Sequence, residues 1–332
     1  MNFDKVLAGS FLCRKLGAKY PIMQAGMGQV AYGALAGAVS KAGGIGVIGS
    51  GYLTGEELRR EIRIVREITD RPFGVDILFA KVTAEDENSR SYTRQVEDQI
   101  RVTIEERVPL LVSGLGNPLD VVSECHDRGI IVGSVVGTVR HALKLERDGV
   151  DFLIASGHEG GGHVGRVGTA SLVPAVTSAV EIPVIAGGGL ADGRGLLAAL
   201  ALGAQGVWMG TRFIASKEAR GHDNYKNRLV EATDEDTVVS RGHSGKTVRM
   251  LRNRFTDYWA ANEAKILPYP RQLQEVGTDA TVLGRIEGDI ENGVLPAGQS
   301  TALIRSVKPA GQIVEDIVSE AREAFRKFEA AA

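Results

Sequence analysis

The chain has 332 residues, with 39 Lys and Arg against 41 Asp and Glu, a formal net charge of -2 that gives no electrostatic reason to expect nucleic acid or an anionic membrane as partner. Cys13 and Cys125 are the only cysteines and form no CxxC, so neither a disulfide framework nor a thiolate metal site is expected and a reducing, cytoplasmic setting fits. The opening MNFDKVLAGSFLCRKLG lacks the apolar core of a signal peptide, and no apolar run reaches the ~18 residues of a membrane span.

PIMQA (21–25) is the first of eight short apolar runs. GIGVIG (44–49), FGVDILF (73–79), LLVSG (110–114) and IIVGSV (130–135) follow, then FLIASG (152–157), PVIAGG (183–188) and GVWMGTRF (206–213). Their unbroken apolar character suits strands buried on both faces. Amphipathic stretches lie between them, such as 56–68, 139–149 and 193–203. In the second of these, Val139, Ala142, Leu143 and Leu145 share one helical face. Strand and helix alternating eight times predicts an α/β fold, a (β/α)8 TIM barrel over residues 1–216. A doubly wound open sheet is the competing arrangement. Residues 217–305 turn polar and short of β runs, which predicts a smaller, mainly helical domain covering the C-terminal mouth. Residues 306–332 are expected to return to the barrel wall as a helix, with Ile317, Val318, Ala321 and Phe325 on one face.

Loops at the C-terminal ends of barrel strands build the site, and those after strands seven and eight commonly hold a phosphate. Here run seven ends in IAGGGLADGRG. Gly187, Gly188 and Gly189 would let backbone N–H groups approach an anion, and Asp192 would cap the next helix, whose dipole would face the phosphate. Gly210 and Thr211 would add an N–H and a hydroxyl after run eight. A dinucleotide-binding GxGxxG is not present, because the glycines of GGIGVIGSG (43–51) lie within and after a strand. After run six comes GHEGGGHVG (157–165). A zinc site on His158 and His163 is poor, since no third ligand is near and the glycines preorganise nothing, so no metal is expected.

PIMQAGMG, FGVD, GHEGGGHVG, PVIAGGGLADGRG and GVWMGTRF occur in the order of a known family. Together they resemble the nitronate monooxygenase (formerly 2-nitropropane dioxygenase) family, which includes the flavin-dependent enoyl-ACP reductases. The resemblance runs from Tyr20 to Phe213, and more weakly through 243–257 and 295–304. It implies an FMN-binding barrel. Gln24, Ala25, Gly26 and Met27 would line the flavin ring, and Gly187 to Gly189, Gly210 and Thr211 would hold its phosphate. Asp76 stands where the family usually has Asn, and an ionised carboxylate cannot donate as an amide does. Gln299 would approach from the C-terminal segment, and Ser134, like Ser113, would reach flavin or substrate from its strand end. Glu159 would hold the loop or meet the ribityl chain, and Gly162 would leave room for substrate. His163 occupies the position of the family's active-site histidine and is the one side chain of GGGHVG able to move a proton near neutral pH.

The other readings are plainer. His126 and His141 are expected at the surface, His158 at the surface with facing the substrate as its alternative, and Lys246, Arg249 and Arg252 as solvated charges, with a phosphopantetheine or coenzyme A phosphate as their alternative use. His222 and His243 are candidates for touching substrate, while Trp208, Tyr258 and Trp259 read as packing residues. The resemblance implies a flavin-dependent oxidoreductase acting on a small molecule, with a homodimer compatible with the chain. Oxidation of alkyl nitronates by O2 is the leading activity. NAD(P)H-dependent reduction of an enoyl thioester or a quinone is the alternative, and a non-enzymatic flavin-binding protein the outsider.

Overall fold

A closed ring of eight parallel strands organises the computed structural model, which describes residues 3–79 and 92–331. The ring strands are β1 (Ile22–Gln24), β2 (Gly46–Gly49), β3 (Phe73–Phe79), β4 (Leu110–Gly116), β5 (Ile131–Val136), β6 (Phe152–Ser156), β8 (Val184–Gly187) and β9 (Val207–Met209). Their order is β1-β9-β8-β6-β5-β4-β3-β2, and a parallel bridge between Met23 and Ile45 brings the two ends together. This is the TIM barrel that eight alternating runs predicted.

Strand alternation sorts the side chains into two layers. Met23, Val47, Val112, Phe152, Ile154, Ile185 and Trp208 fill the barrel interior. Ile22, Ile48, Val75, Leu111, Val132, Leu153 and Val207 face outward into a larger core under the helices. Those helices are α3 (Gly33–Lys41), α4 (Gly55–Ile68), α5 (Arg94–Glu105), α6 (Leu119–Asp127), α7 (Val139–Arg147), α8 (Thr169–Thr177) and α9 (Gly193–Ala201), preceded by α1 (Phe3–Ala8) and α2 (Phe11–Leu16). Thr54 and Glu57 cap α4 reciprocally, Thr138 caps α7 and Asp192 caps α9, so these three helix starts are written locally.

Beyond β9 lie α10 (Thr211–Ile214), α11 (Asp223–Glu231), α12 (Arg254–Ala261) and α13 (Thr278–Arg285), then α14 (Ala310–Ala331), which packs on α9 and α3. The stretch 217–305 is not purely helical. β10 (Thr237–Ser240) and β11 (Val248–Leu251) pair antiparallel, and β11 pairs with β7 (Gly162–His163), the tip of the loop after β6. Four-residue strands, one with a partner more than 80 residues away, leave no local period to read. The histidine loop thus becomes the edge strand that ties the barrel to the segment above it. No helix among the described residues is long and apolar enough to cross a membrane.

Candidate active site

The C-terminal ends of the barrel strands and residues of 217–305 enclose one cavity. Its floor is made by Ala25, Gly26, Met27 and Gly28 after β1, Gly49 to Tyr52 after β2, Asp76 on β3 and Gly114 on β4. Gly160 to Gly162, Gly188 to Leu190, and Gly210 with Thr211 form a second wall, and His163 a third. His243, Leu273, Arg285, Pro296 and Ser300 close it from above.

The second wall is a backbone surface. Gly188 and Gly189 have φ values of 90° and 72°, conformations that side chains rarely adopt. A Cβ on Gly188 would sit 2.9 Å from the carbonyl oxygen of Gly157. No acceptor among the described residues takes the N–H of Gly188 or Gly189. The four-residue α10 begins at Thr211, whose hydroxyl accepts from Gly298 N at 2.9 Å. The start of α9, by contrast, is already in use. Gly193 N donates to Glu320 at 2.9 Å and Gly195 N to Asp192 at 3.0 Å. Two carboxylates there would repel an anion, so the expectation that the α9 dipole faces a phosphate is corrected, although Asp192 does cap the helix.

The third wall is titratable. His163 Nε2 lies 2.9 Å from Ser244 Oγ, and its ring centroid is 6.2 Å from that of His243. His163 borders the open cavity, yet protein surrounds it at depth. Loss of bulk water, with Lys246 and Arg285 adding positive potential, holds its pKa down to about 4. His243 is packed, bonds Thr281 Oγ1 at 3.2 Å through Nε2, and is held down to about 3 by burial, Arg285 and His163. Both rings are therefore neutral at pH 7. Buried Arg285 donates from Nη1 to the Gly28 carbonyl at 2.9 Å, while its Nε has no partner among the described residues. Asp76 is also buried, with Oδ1 unpartnered, and burial raises its pKa to about 8 against a smaller lowering by the Gly114 N–H. Among the described residues, no group of three or more His, Cys, Asp or Glu could hold a metal ion.

The sequence profile described as nitronate monooxygenase matches residues 9–320. A probable nitronate monooxygenase of Staphylococcus aureus is 32% identical, over 93% of this chain and 96% of its own. The structure of FabK from Thermotoga maritima superimposes with a TM-score of 0.88 at 40% identity, covering 97% of this chain and 99% of that one. A nitroalkane oxidase from Streptomyces ansochromogenes gives a TM-score of 0.85 at 29% identity over 96% and 99%. The chain belongs to the nitronate monooxygenase family. It is accordingly an oxidoreductase.

Ala25, Gly26, Met27, Asp76, Gly162, His163, Gly188, Gly189, Gly210 and Thr211 all line the cavity. Gln24 does not. It is fully buried and its amide donates to the carbonyls of Ala25 and Val47 while accepting from Val47 N, so its groups serve β1 and β2. Ser134 is likewise off the cavity. It shares the outward face of β5 with Val132 and Val136, and Val135 points in instead. Ser113 bonds the carbonyls of its own strand end at Leu115 and Gly116. Gln299 is exposed, and its neighbour Ser300 takes the place on the wall. Gly187 lies just below the cavity, where its carbonyl accepts from Gly157 N. Glu159 holds the loop: its carboxylate accepts from Thr169 N and Oγ1, and its carbonyl from Gln299 N.

Two other expectations change. His158 is half-buried and fixes the loop through Gly165 O at 2.7 Å. Arg249 is buried, not solvated, and donates to His158 O and Thr237 Oγ1. Lys246 lies 4.0 Å over the ring of Tyr269. The residues missed in sequence are Tyr52 and Arg285. Arg285 reads as an ordinary basic residue in the last turn of a helix, and only the fold turns it toward the glycines of the barrel mouth.

Proposed function

We propose that this protein is an FMN-dependent oxidoreductase that uses NAD(P)H to reduce the conjugated double bond of an enoyl thioester. The observation carrying this reading is the 40% identity to FabK across nearly the whole of both chains, against 29% to the nitroalkane oxidase. FabK belongs to the enoyl-ACP reductase branch of the family. The cavity suits a flavin mononucleotide. Free N–H groups of Gly188 and Gly189, beside the start of α10, would hold its phosphate, and the glycine floor at Gly26 and Gly28 leaves room for a flat ring. Bound there, FMN would supply the hydride-carrying ring.

The chain's own residues would do the rest. Reduction of a conjugated thioester adds a hydride at the β-carbon and a proton at the α-carbon, with negative charge gathering on the carbonyl oxygen between the two events. Ser244 Oγ accepts Lys246 N–H at 3.4 Å and can donate its own proton to His163 Nε2. That arrangement leaves the ring proton on Nδ1, free to hydrogen-bond the carbonyl oxygen. A neutral imidazole serves here as a donor, not as an ionised acid. Arg285, cationic and short of one acceptor, would stabilise the growing charge from above. The proton itself would enter from solvent at the open mouth.

Oxidation of alkyl nitronates is the second reading, supported by the curated relatives. Arg285 would then hold the nitronate anion. The deciding experiment mixes the FMN-loaded protein anaerobically with NADPH and, separately, NADH while following the visible flavin absorbance. Rapid bleaching by either nucleotide, and recovery of colour on adding an enoyl-CoA, is the expected result. A flavin that stays yellow with both nucleotides yet is reduced by an alkyl nitronate would replace the reductase reading with the monooxygenase one.

A further inference from the structure

We infer that Asp76 is kept as a neutral carboxylic acid whose O–H donates a hydrogen bond to an acceptor atom of the cofactor ring. The inference rests on the FMN reading above. Its ground is geometric. Asp76 is an inward-facing residue midway along β3, paired in register with Gly49 on β2 and Val112 on β4. A Cβ on Gly26 would come within 2.4 Å of its Oδ2, and one on Gly114 within 2.4 Å of its Oδ1. The carboxyl is thus clasped between two glycines, neither of which could carry a side chain there. Oδ1 finds no hydrogen-bond partner among the described residues, and the side chain faces the cavity.

The neighbouring elements bring no charge to it. The segment after β1 contributes Gly26, β4 contributes Gly114, and the segment after β2 contributes Ser50, whose N–H and Oγ are spent on the Asp76 carbonyl and which also bonds Gln99. The titratable and charged groups sharing the cavity are Tyr52, His163, Tyr225, His243 and Arg285. A carboxylate so placed would be buried with no cation beside it and only the Gly114 N–H favouring its charge, which is costly. The protonated form removes that cost and gains a donor. Burial drives Asp76 in that direction, to about 8. A position where asparagine is usual in the family is then filled by a residue that donates equally well, but only while it holds its proton.

The consequence is a pH-dependent cofactor affinity. Ionisation above the free-protein pKa would remove the donor and set a negative charge against the ring. Apoprotein would be titrated into FMN, with dissociation constants read from the quenching of flavin fluorescence at intervals from pH 7 to pH 9. Wild type should weaken about tenfold across that range, the loss expected when binding requires one proton on a group titrating near 8. Asp76→Asn should bind with nearly constant affinity over the same range. It keeps Tyr52, both histidines and Arg285, so it reports any pH effect that is not due to Asp76. A flat wild-type profile, or the same slope in Asp76→Asn, overturns the assignment and leaves the FMN reading intact. No FMN binding by wild type at pH 7 rejects the FMN reading, and the assignment of Asp76 with it.

Discussion

At the scale of single residues, loss of bulk water decides which groups are charged, and Asp76 and His163 are two cases. Asp76 should hold a proton that a free aspartate would lose. Its pKa rises from 3.8 to about 8, so between these values the folded protein binds a proton that the unfolded chain does not. Stability from this group is therefore full below pH 3.8 and is lost as pH rises toward 8. Asp76→Asn should accordingly raise the melting temperature of the apoprotein by several degrees at pH 8 and hardly at all at pH 4. Equal gains at both pH values would mean that the carboxyl is not titrating as described. His163 is the second case. His163→Asn should retain FMN, because the phosphate wall lies on other residues, and lose about 10²–10⁴-fold in turnover. Parallel measurement of flavin content and turnover checks this, and unchanged turnover would remove His163 from the mechanism. Sequence made both residues visible through their motifs. It misplaced Gln24 and Ser134, because a strand's end can be read from its pattern while the face of each side chain depends on register with neighbours. Gln24 and Ser134 share the outward parity of Ile22 and Val132, a feature two apolar runs do not display when both faces are buried.

At the scale of elements, caps and apolar runs were enough to place the barrel strands and the helices between them. Pairings across long separations were not. β7 exists because β11 supplies its partner, with Val248 opposite His163 and Arg249 opposite Gly162. Nothing in GHEGGGHVG alone marks a strand. The contact between α9 and α14 is of the same kind. Gly193 opens α9 so close to α14 that an added Cβ would lie 2.1 Å from Ala321 N and 2.5 Å from Ile317 O, both backbone atoms. Neither can rotate away. Gly193→Ala should push the terminal helix off the barrel wall and break the bond from Gly193 N to Glu320, at a cost of about 3 kcal/mol. A urea titration would show it as a lower midpoint. A midpoint equal to that of wild type would mean that α14 does not need this approach.

At the scale of the whole molecule, the titrating groups oppose one another, and their balance fixes where the apoprotein is most stable. His163 sits on the loop that joins the barrel to the upper segment, and His243 faces it from that segment. Their pKa values fall from 6.5 to about 4 and about 3. Below pH 6.5 the unfolded chain takes up two protons that the folded protein refuses, so their contribution is present above 6.5 and is lost as pH falls through the folded values. Asp76 pulls the other way over its own window, but with one proton against two. Stability should therefore rise with pH up to about 6.5, driven by the histidines, and decline from there to about 8, driven by Asp76. The failure on the acid side should begin where the histidines meet. Protonation puts like charges on two rings 6.2 Å apart beside Arg285, across the seam between barrel and upper segment. The chain has two tryptophans, Trp208 inside the barrel and Trp259 above it, packed where a Cβ on Gly242 would touch its ring. In a Trp208→Phe background, the Trp259 fluorescence should shift between pH 6 and pH 4 before the far-ultraviolet circular dichroism falls. Replacing both His163 and His243 with glutamine should move that shift to lower pH. Coincident loss of the two signals, unmoved by the double replacement, would show that the seam is no weaker than the barrel and that acid unfolding starts elsewhere.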